Sequence, residues 1–317
     1  MDHREAAQLL DQIRLNMESC IYGKKDEIAW MLTALLAGGH VLIEDVPGTG
    51  KTQMVKALAM SVGGLFHRIQ CNPDLLPTDI TGVSIYHPKQ EEFVFRPGPI
   101  MANMLLTDEI NRATTKTQSA LLEAMEERRI SVDGQTYPLP HPFILFATQN
   151  PIDFEGTYSL PEAQLDRFLM KIKLGYPDEA SEKRLVLESS AGRAAESLNQ
   201  CATVDDVARM QKMAEEIHLE NVVADYLIAL VRGTRTHPSV LLGASPRAAV
   251  ALASAAKAYA FLQHRAFVLP DDVKAMAPLV LGHRLHLRSE ARMQGNSTLG
   301  VLQDILGRLP VPVGLER

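Results

Sequence analysis

The residues with the clearest chemical potential form a glycine-containing loop between an apolar run and a helix-forming segment. Residues 41–53 read VLIEDVPGTGKTQ, and residues 54–62 continue with helical character. Glycines let successive backbone N–H groups turn toward one anion, and the positive end of the following helix adds to the attraction. In such a loop Lys51 would reach the β- and γ-phosphates of a nucleotide, and the Thr52 hydroxyl would bind Mg²⁺. The predicted nucleotide-binding set is Pro47, Gly48, Thr49, Gly50, Lys51, Thr52 and Gln53.

This loop departs from the strict phosphate-loop pattern at one position. The pattern G-x-x-x-x-G-K-[ST] has glycine where this chain has Asp45. Position 45 only starts the turn, and the run from Gly48 to Thr52 is intact. We therefore predict nucleotide binding in spite of the substitution.

Two adjacent acids downstream suggest hydrolysis of the nucleotide. Residues 104–109 read MLLTDE, a buried-strand run that ends in Asp108 and Glu109. Carboxylates at the tip of a buried strand are costly unless a cation or a ligand compensates them. Asp108 would hold Mg²⁺, directly or through water, and Glu109 would accept a proton from the attacking water. A GTP switch or a small-molecule kinase would not require the second acid.

Composition and length indicate a soluble chain of two domains. At 317 residues the chain exceeds one usual core, and 46% apolar with 22% charged residues is ordinary for a globular protein. The net charge of −6 argues against an autonomous nucleic-acid binder. The three cysteines are far apart and suggest reduced thiols, and the polar start carries no cleavable signal. No apolar run is long enough to span a bilayer, so we expect a cytoplasmic protein.

The first half of the chain alternates strands with helices. Strands are predicted at 41–44, 65–70, 104–108, 143–148 and 169–174, and helices at 4–18, 24–37, 51–62 and 116–128. This alternation predicts a parallel sheet, with ligands bound beyond the carboxyl ends of its strands. The Lys51 loop and the Asp108–Glu109 tip both lie at that edge.

The pattern changes after residue 175. Residues 178–317 show helical periodicity with no clear strand, so we predict a core over 1–175 and a helical lid over 176–317. Asp178, Thr203 and Ser245 are expected to begin helices. Two hairpins are also predicted in the first half, at 80–100 and 129–138, the second around the tight-turn pair Asp133-Gly134. They are either surface decoration or protruding contacts for a substrate.

Together these motifs resemble the MoxR branch of the AAA+ ATPases from about residue 21 to residue 285. The resemblance is carried by EDVPGTGKT at 44–52, DEINRA at 108–113, QSALLEAM at 118–125, ATQNP at 147–151, EGTY at 155–158, LPEAQLDRF at 160–168 and GASPR at 243–247. Asp45, which breaks the general loop pattern, is common in this branch. Small departures are Thr114-Thr115, where the family often has two prolines, and Thr107, where a smaller residue is usual.

The resemblance implies an α/β fold, an AAA+ P-loop core with a five-stranded parallel sheet followed by an all-α lid, assembled into a ring that is usually hexameric. It makes Asn150 the sensor that orients water near the γ-phosphate. It makes Arg167 the arginine finger for the neighbouring subunit and Arg247 the sensor arginine of the lid. The adenine would lie near Tyr22 and Gly23, between core and lid. Both hairpins would face the central pore or its rim.

Residue chemistry alone leaves some of these roles open. Arg247 falls in the first turn of a helix, where the dipole disfavours a cation, so a phosphate sharing the site would explain it. A solvated arginine is the alternative. Arg167 follows Asp166 and is as well explained by a surface ion pair as by a finger, although its planar fork suits a phosphate. Asn150 could simply start an Asn-Pro turn.

The sequence therefore predicts an ATPase with ATP and Mg²⁺ as cofactors that remodels or matures client protein complexes in the manner of a chaperone. The resemblance suggests clients containing a von Willebrand factor A domain. A nucleic-acid-dependent motor is the main alternative, because related helicases share the hairpin insert. The hairpins argue against it: Lys89 and Arg96 are balanced by Glu91 and Glu92. A nucleotide-dependent switch that does not hydrolyse conflicts with Glu109 beside Asp108.

Overall fold

The fold comes from a computed structural model, which describes residues 1–89, 91–150, 158, 160–188 and 195–312. Its helices are α1 (His3–Glu18), α2 (Lys25–Leu36), α3 (Lys51–Ser61), α4 (Pro77–Thr81), α5 (Thr115–Glu127), α6 (Glu162–Leu165), α7 (Glu179–Glu188), α8 (Val204–Glu215), α9 (Asn221–Thr236), α10 (Pro246–Leu262), α11 (Pro270–Leu281), α12 (Ser289–Met293) and α13 (Thr298–Arg308). Its strands are β1 (Val41–Glu44), β2 (Phe66–Gln70), β3 (Gly82–His87), β4 (Glu92–Pro97), β5 (Met104–Asp108), β6 (Arg129–Val132), β7 (Gln135–Pro138), β8 (Ile144–Gln149), β9 (Met170–Ile172), β10 (Val240–Leu242) and β11 (His286–Leu287).

A five-stranded parallel sheet organises the described part of the first half. Its order is β2-β5-β8-β1-β9, so β1, which leads into the glycine loop, lies between β8 and β9. Successive side chains enter opposite faces: Leu106 packs with α1, α2 and α3, whereas Leu105 packs with α5. The predicted parallel sheet and its five strands are confirmed.

The residues after β9 are mainly helical, and the lid shares a hydrophobic core with α1 and α2. Leu10, Leu32, Leu252 and Val273 belong to one buried cluster that joins both parts of the molecule. The predicted caps are present: Thr203 accepts a hydrogen bond from the N–H of Asp206 and Ser245 from that of Ala248. We propose that the boundary between the two domains lies near residue 176, where the chain passes from β9 to α7.

The prediction of no strand after residue 178 was wrong in one detail. Strands β10 and β11 pair antiparallel, with Val240 opposite Leu287. Three and two residues are too few to produce a recognisable alternation, and the pairing joins segments more than forty residues apart.

Both predicted hairpins are present, formed by β3 with β4 and by β6 with β7. Asp133 and Gly134 have positive φ angles of 50° and 77°, as a tight turn between strands requires. The Phe95 and Tyr137 rings stack with centroids 4.1 Å apart and so join the two hairpins. Among the described residues, no helix is both long enough and apolar enough to cross a bilayer.

Candidate functional site

The glycine loop forms one wall of a cavity of about 380 Å³ at the carboxyl edge of the sheet. Gly48 and Gly50 both have φ angles of +85°, a conformation that favours glycine, and beyond their immediate chain neighbours nothing crowds the position where a Cβ would stand. The cavity is lined by Asp45, Pro47, Gly48, Gly50, Lys51, Thr52, Gln53, Arg68, Gln70, Asp108, Glu109, Thr148, Gln149 and Asn150. The fold therefore brings together the predicted loop, the two acids and Asn150.

Lys51 is held on the loop that it belongs to. Its Nζ donates to the carbonyl oxygens of Val46 at 2.7 Å and Asp45 at 3.1 Å. Burial lowers the pKa of Lys51, while the charges of Asp45, Asp108 and Glu109 oppose that shift. Two neutral carbonyls are weak competitors for an ammonium group, so Lys51 can transfer to a phosphate.

Asp45, the residue that breaks the strict pattern, lines the cavity, but both of its carboxylate oxygens are engaged by backbone N–H groups. Its Oδ2 accepts hydrogen bonds from the backbone N–H groups of Leu174 at 2.9 Å and Gly175 at 2.6 Å, and Oδ1 accepts from Val46. Lys24 contacts the same segment, donating to the carbonyls of Leu174 and Tyr176. Asp45 and Lys24 thus hold the link between β9 and α7, a role that the sequence motif did not reveal.

Asp108 already has a cationic partner at the tip of β5. The carboxylate is buried, and it accepts from Arg68 Nε at 2.6 Å and from the Thr148 hydroxyl at 3.2 Å. Sequence reasoning missed Arg68, which is placed here only because β2 is the neighbour of β5. Asp108 and Thr52 line the same cavity, and the carboxylate and hydroxyl oxygens that they offer are the kind of donor that suits Mg²⁺.

Glu109 adopts an unusual backbone conformation, with φ 56° and ψ 50°. Its N–H donates to the Thr148 hydroxyl at 2.9 Å, and its Oε2 accepts from Gln70 Nε2 at 2.9 Å and pairs with Arg112 Nε at 3.2 Å. A left-handed conformation costs a non-glycine residue about 1–2 kcal/mol. The strained backbone and the side-chain contacts together determine where the carboxylate points.

Arg167 and Arg247 lie together, but outside this cavity. Both pair with Glu126: Arg167 Nε at 2.9 Å from one carboxylate oxygen and Arg247 Nη1 at 3.1 Å from the other. They line a separate depression that includes Gly38, Gly39 and Arg128. Neither arginine lines the cavity that holds Lys51 of the same chain.

Tyr22 and Gly23, the predicted adenine contacts, lie under α7. The Arg184 guanidinium is 4.1 Å from the centre of the Tyr22 ring. A Cβ on Gly23, whose φ is +68°, would meet Ser181 Oγ at 2.5 Å. The residues Glu155, Gly156 and Thr157 of the family resemblance lie outside the described residues.

Comparison with known proteins places this site in a class. A family model for the AAA domain, described as the ATPase family associated with various cellular activities, matches residues 40–170, and an AAA lid model matches 232–305. The crystal structure of an inferred ATPase from Cytophaga hutchinsonii superposes with a TM-score of 0.92 at 38% identity, covering 98% of this chain and 97% of the other. The fold is that of the AAA+ ATPases, a five-stranded parallel sheet with a helical lid.

Sequence relatives narrow the class to a family. Chaperone MoxR1 of Mycobacterium tuberculosis is 42% identical, over 96% of this chain and 82% of its own length. The uncharacterized protein YeaC of Bacillus subtilis is 48% identical, over 96% of this chain and 95% of its own. Protein MoxR of Methylorubrum extorquens is 31% identical, over 92% and 91%. The chain belongs to the MoxR family of AAA+ ATPases.

Proposed function

We propose that this chain hydrolyses ATP at the interfaces between subunits of a ring and uses the energy to remodel client protein complexes. One observation carries the proposal: Lys51, Asp108, Glu109 and Asn150 share a cavity, whereas Arg167 and Arg247 lie together elsewhere on Glu126. Phosphoryl-transfer sites need a cation to balance the charge that develops in the transition state. In this cavity Lys51 is already assigned to the phosphates and Arg68 is paired with Asp108, so we propose that a neighbouring subunit provides the additional cation.

Within one subunit we assign roles by position in the cavity. Lys51 would bind the β- and γ-phosphates. Thr52 and Asp108 would hold Mg²⁺, which would neutralise phosphate charge. Glu109 accepts the proton of the attacking water once Gln70 and Arg112 release its carboxylate. Asn150 orients that water. The adenine lies near Tyr22 and Gly23, where α7 covers it.

Between subunits we assign Arg167 as the finger, and we extend the assignment to Arg247. Their shared contact with Glu126 supports a common direction, so Arg247 of the lid would reach the same neighbouring nucleotide. Glu126 holds both guanidinium groups until a more highly charged phosphate competes for them. This arrangement suits a closed ring, and we propose a hexamer.

One relative is named a chaperone, Chaperone MoxR1, and this name supports a client-remodelling role. We further propose that the protein acts in the cytoplasm on client complexes that contain a von Willebrand factor A domain. The hairpin of β3 and β4 offers a contact surface, because Tyr86 and Phe93 at its tip are 49% and 73% exposed. Movement of the lid against the core would shift this surface.

The test is complementation between two inactive variants. Arg167→Ala and Lys51→Ala should each lose nearly all ATPase activity alone. In a mixed ring, an Arg167→Ala subunit still offers Lys51, and its Lys51→Ala neighbour offers Arg167, so about a quarter of interfaces are intact at equal mixing. Partial ATPase activity should therefore return.

Two controls make the result decisive. Fluorescence transfer between labelled rings establishes that subunits exchange, and titration of each variant into the parent protein measures how strongly one dead site silences its ring. If exchange is complete and coupling is weak, an activity that stays at baseline would contradict a finger acting on the neighbour.

A further inference from the structure

The backbone that carries Arg167 is held on the core side. Phe168 is fully buried, and the N–H of Leu169 donates to the carbonyl of His40 at 2.9 Å. Leu169 packs so closely on Gly39 that a Cβ there would overlap its side chain. Arg167 therefore projects from a short segment, 166–169, whose position is set by buried neighbours.

The lid residue Arg284 holds the other side of the same segment. Its Nε donates to the Asp166 carboxylate at 2.6 Å, its Nη2 to the carbonyls of Asp166 at 3.0 Å and Phe168 at 2.7 Å, and its Nη1 to the carbonyl of Leu169 at 3.1 Å. Nη1 also contacts the carbonyl of Val280 in the lid. One guanidinium therefore binds residues on both sides of Arg167.

Without these hydrogen bonds, burial of the Arg284 guanidinium would be energetically unfavourable. Arg284 is only 7% exposed; burial lowers its pKa, and the hydrogen bond to Asp166 opposes that shift. Lysine could not replace its contacts, because a single ammonium group cannot match the spread of a planar fork. The neighbouring residue strengthens the junction, since His283 Nε2 lies 3.2 Å from the carbonyl of Phe168.

We propose that Arg284 is a positioning residue that places the Arg167 finger by holding the segment on both sides of it. The proposal rests on the role of Arg167 proposed above. Arg284 follows α11, which packs against α10, the helix that carries Arg247. Arg284 therefore ties the segment of Arg167 to the lid helices that also carry Arg247.

The experiment compares Arg284→Lys with a matched lid variant, Arg265→Lys. Arg265 also makes a close two-pronged contact with an acid, at 2.6 and 2.5 Å from the Asp272 oxygens, but its guanidinium donates to Asp272 and Phe267 and not to segment 166–169. Arg284→Lys should lower kcat on the order of tenfold to a hundredfold, as small misplacements of catalytic groups do. Its affinity for ATP, measured by fluorescence titration, should match that of the parent, and Arg265→Lys should keep the parent kcat even where its Tm falls.

Mixed rings then assign the defect to one side of the interface. Arg284→Lys mixed with Lys51→Ala should regain activity, because the first variant retains a sound nucleotide site and the second a sound finger. Arg284→Lys mixed with Arg167→Ala should regain none, because both lack the same contribution. If Arg284 only stabilised the fold, the Arg284→Lys subunit would bind ATP more weakly, and the two mixed rings would not differ in this way.

Several results would overturn the inference. If Arg284→Lys has a parent-like kcat while Arg167→Ala is inactive, the role of Arg284 is overturned and the finger role of Arg167 stands. The same holds if Arg284→Lys binds ATP more weakly and is not rescued by Lys51→Ala. An active Arg167→Ala would overturn the finger role as well.

If Arg284→Lys does not fold, Asp166→Asn removes the charged contact but keeps the three carbonyls, and it should show a smaller loss of kcat with the same pattern of rescue. An unchanged kcat in that variant would contradict the proposal.

Discussion

At the scale of single residues, we predict that removing Glu109 and removing the groups that bind its carboxylate have opposite effects on ATP turnover. Gln70 and Arg112 bind the Glu109 carboxylate, and Arg68 binds Asp108, so the acids of the site are occupied by protein groups. A carboxylate that accepts hydrogen bonds from protein donors is less available to water. Under the proposed mechanism, we therefore expect the contacts around Glu109 to restrain turnover and Glu109 itself to be needed for it.

We predict that Glu109→Gln and Gln70→Leu change ATPase activity in opposite directions. Glu109→Gln should keep ATP binding and lose most turnover, because an amide does not accept the proton. Gln70→Leu should raise basal turnover, by about tenfold at most, which corresponds to roughly 1.4 kcal/mol of barrier. Steady-state phosphate release and ATP titration measure both, with Glu123→Gln, an exposed acid on α5, as the control. A Glu109→Gln variant as active as the parent would refute the base assignment.

At the scale of elements, two buried side chains fix the position of β1 by hydrogen bonds to distant segments. The turn from β1 to α3 is tied through Asp45 to the link between β9 and α7, so the nucleotide loop and the entry to the lid share one buried carboxylate. The start of β1 is similarly tied through His40, whose Nδ1 accepts from the N–H of Leu145 at 3.0 Å while Nε2 lies 3.1 Å from the carbonyl of Met125.

Asp45→Gly restores the strict loop pattern, yet we predict that it is destabilising. The substitution leaves the N–H groups of Leu174 and Gly175 without their acceptor, which costs about 1–3 kcal/mol per buried group. Binding of ATP should persist, because the phosphate contacts come from the loop between Gly48 and Thr52. Urea denaturation and ATP titration separate the two effects, with Asp45→Asn, which keeps one acceptor oxygen, expected to be intermediate. Loss of ATP binding with unchanged stability would contradict this role.

We predict that the buried His40 makes the stability of the fold measurably sensitive to acid. Burial, with a smaller contribution from the charge of Arg128, lowers its pKa from 6.5 to about 3. Between those values the unfolded chain binds a proton that the folded chain does not, so stability falls as pH drops below about 6.5 and is unaffected by this group above it. In His40→Gln, which keeps a donor and an acceptor, the free energy of unfolding should fall less steeply, by up to about 1.4 kcal/mol per pH unit. Equal pH slopes from urea denaturation at pH 7, 6 and 5 would argue against a buried neutral His40.

At the scale of the whole molecule, the distribution of charge favours a protein remodeller over a nucleic-acid motor. The net charge is −6, and the cations Lys89 and Arg96 of the first hairpin stand beside the acids Glu91 and Glu92. The exposed Tyr86 and Phe93 could stack on bases as well as contact an apolar client, so the aromatic tip alone does not decide between the two. Backbone attraction requires a cationic surface, which this balance of charges does not provide.

We predict that ATPase activity does not respond to single- or double-stranded DNA at physiological salt. Any binding should be weak and steeply dependent on salt, because only a few phosphates would be neutralised. Phosphate release with and without DNA, together with fluorescence anisotropy at two salt concentrations, measures both effects. A several-fold stimulation that disappears when residues 84–95 are deleted would favour the motor instead.

Local patterns in the sequence determined much of this protein. The glycine loop, the five strands, both hairpins and the helix caps follow from short runs of residues, because backbone conformation and burial are set by neighbours in sequence. The order of alternating strands and helices was enough to predict that Lys51, Asp108 and Glu109 would meet at one edge of the sheet. That part of the site follows from topology and required no knowledge of side-chain contacts.

Only the tertiary structure decided which residues hold the site and its neighbours in place. Gln70 reaches Glu109, Asp45 reaches Gly175, and Arg284 reaches Asp166 across 39, 130 and 118 residues of chain. The short β10–β11 pair and the shared contact of Arg167 and Arg247 with Glu126 are of the same kind. Contacts between distant segments depend on how whole elements pack, and a polar side chain leaves no periodic signal to indicate its partner. The sequence therefore identified the chemical groups, and packing selected the contacts that orient them.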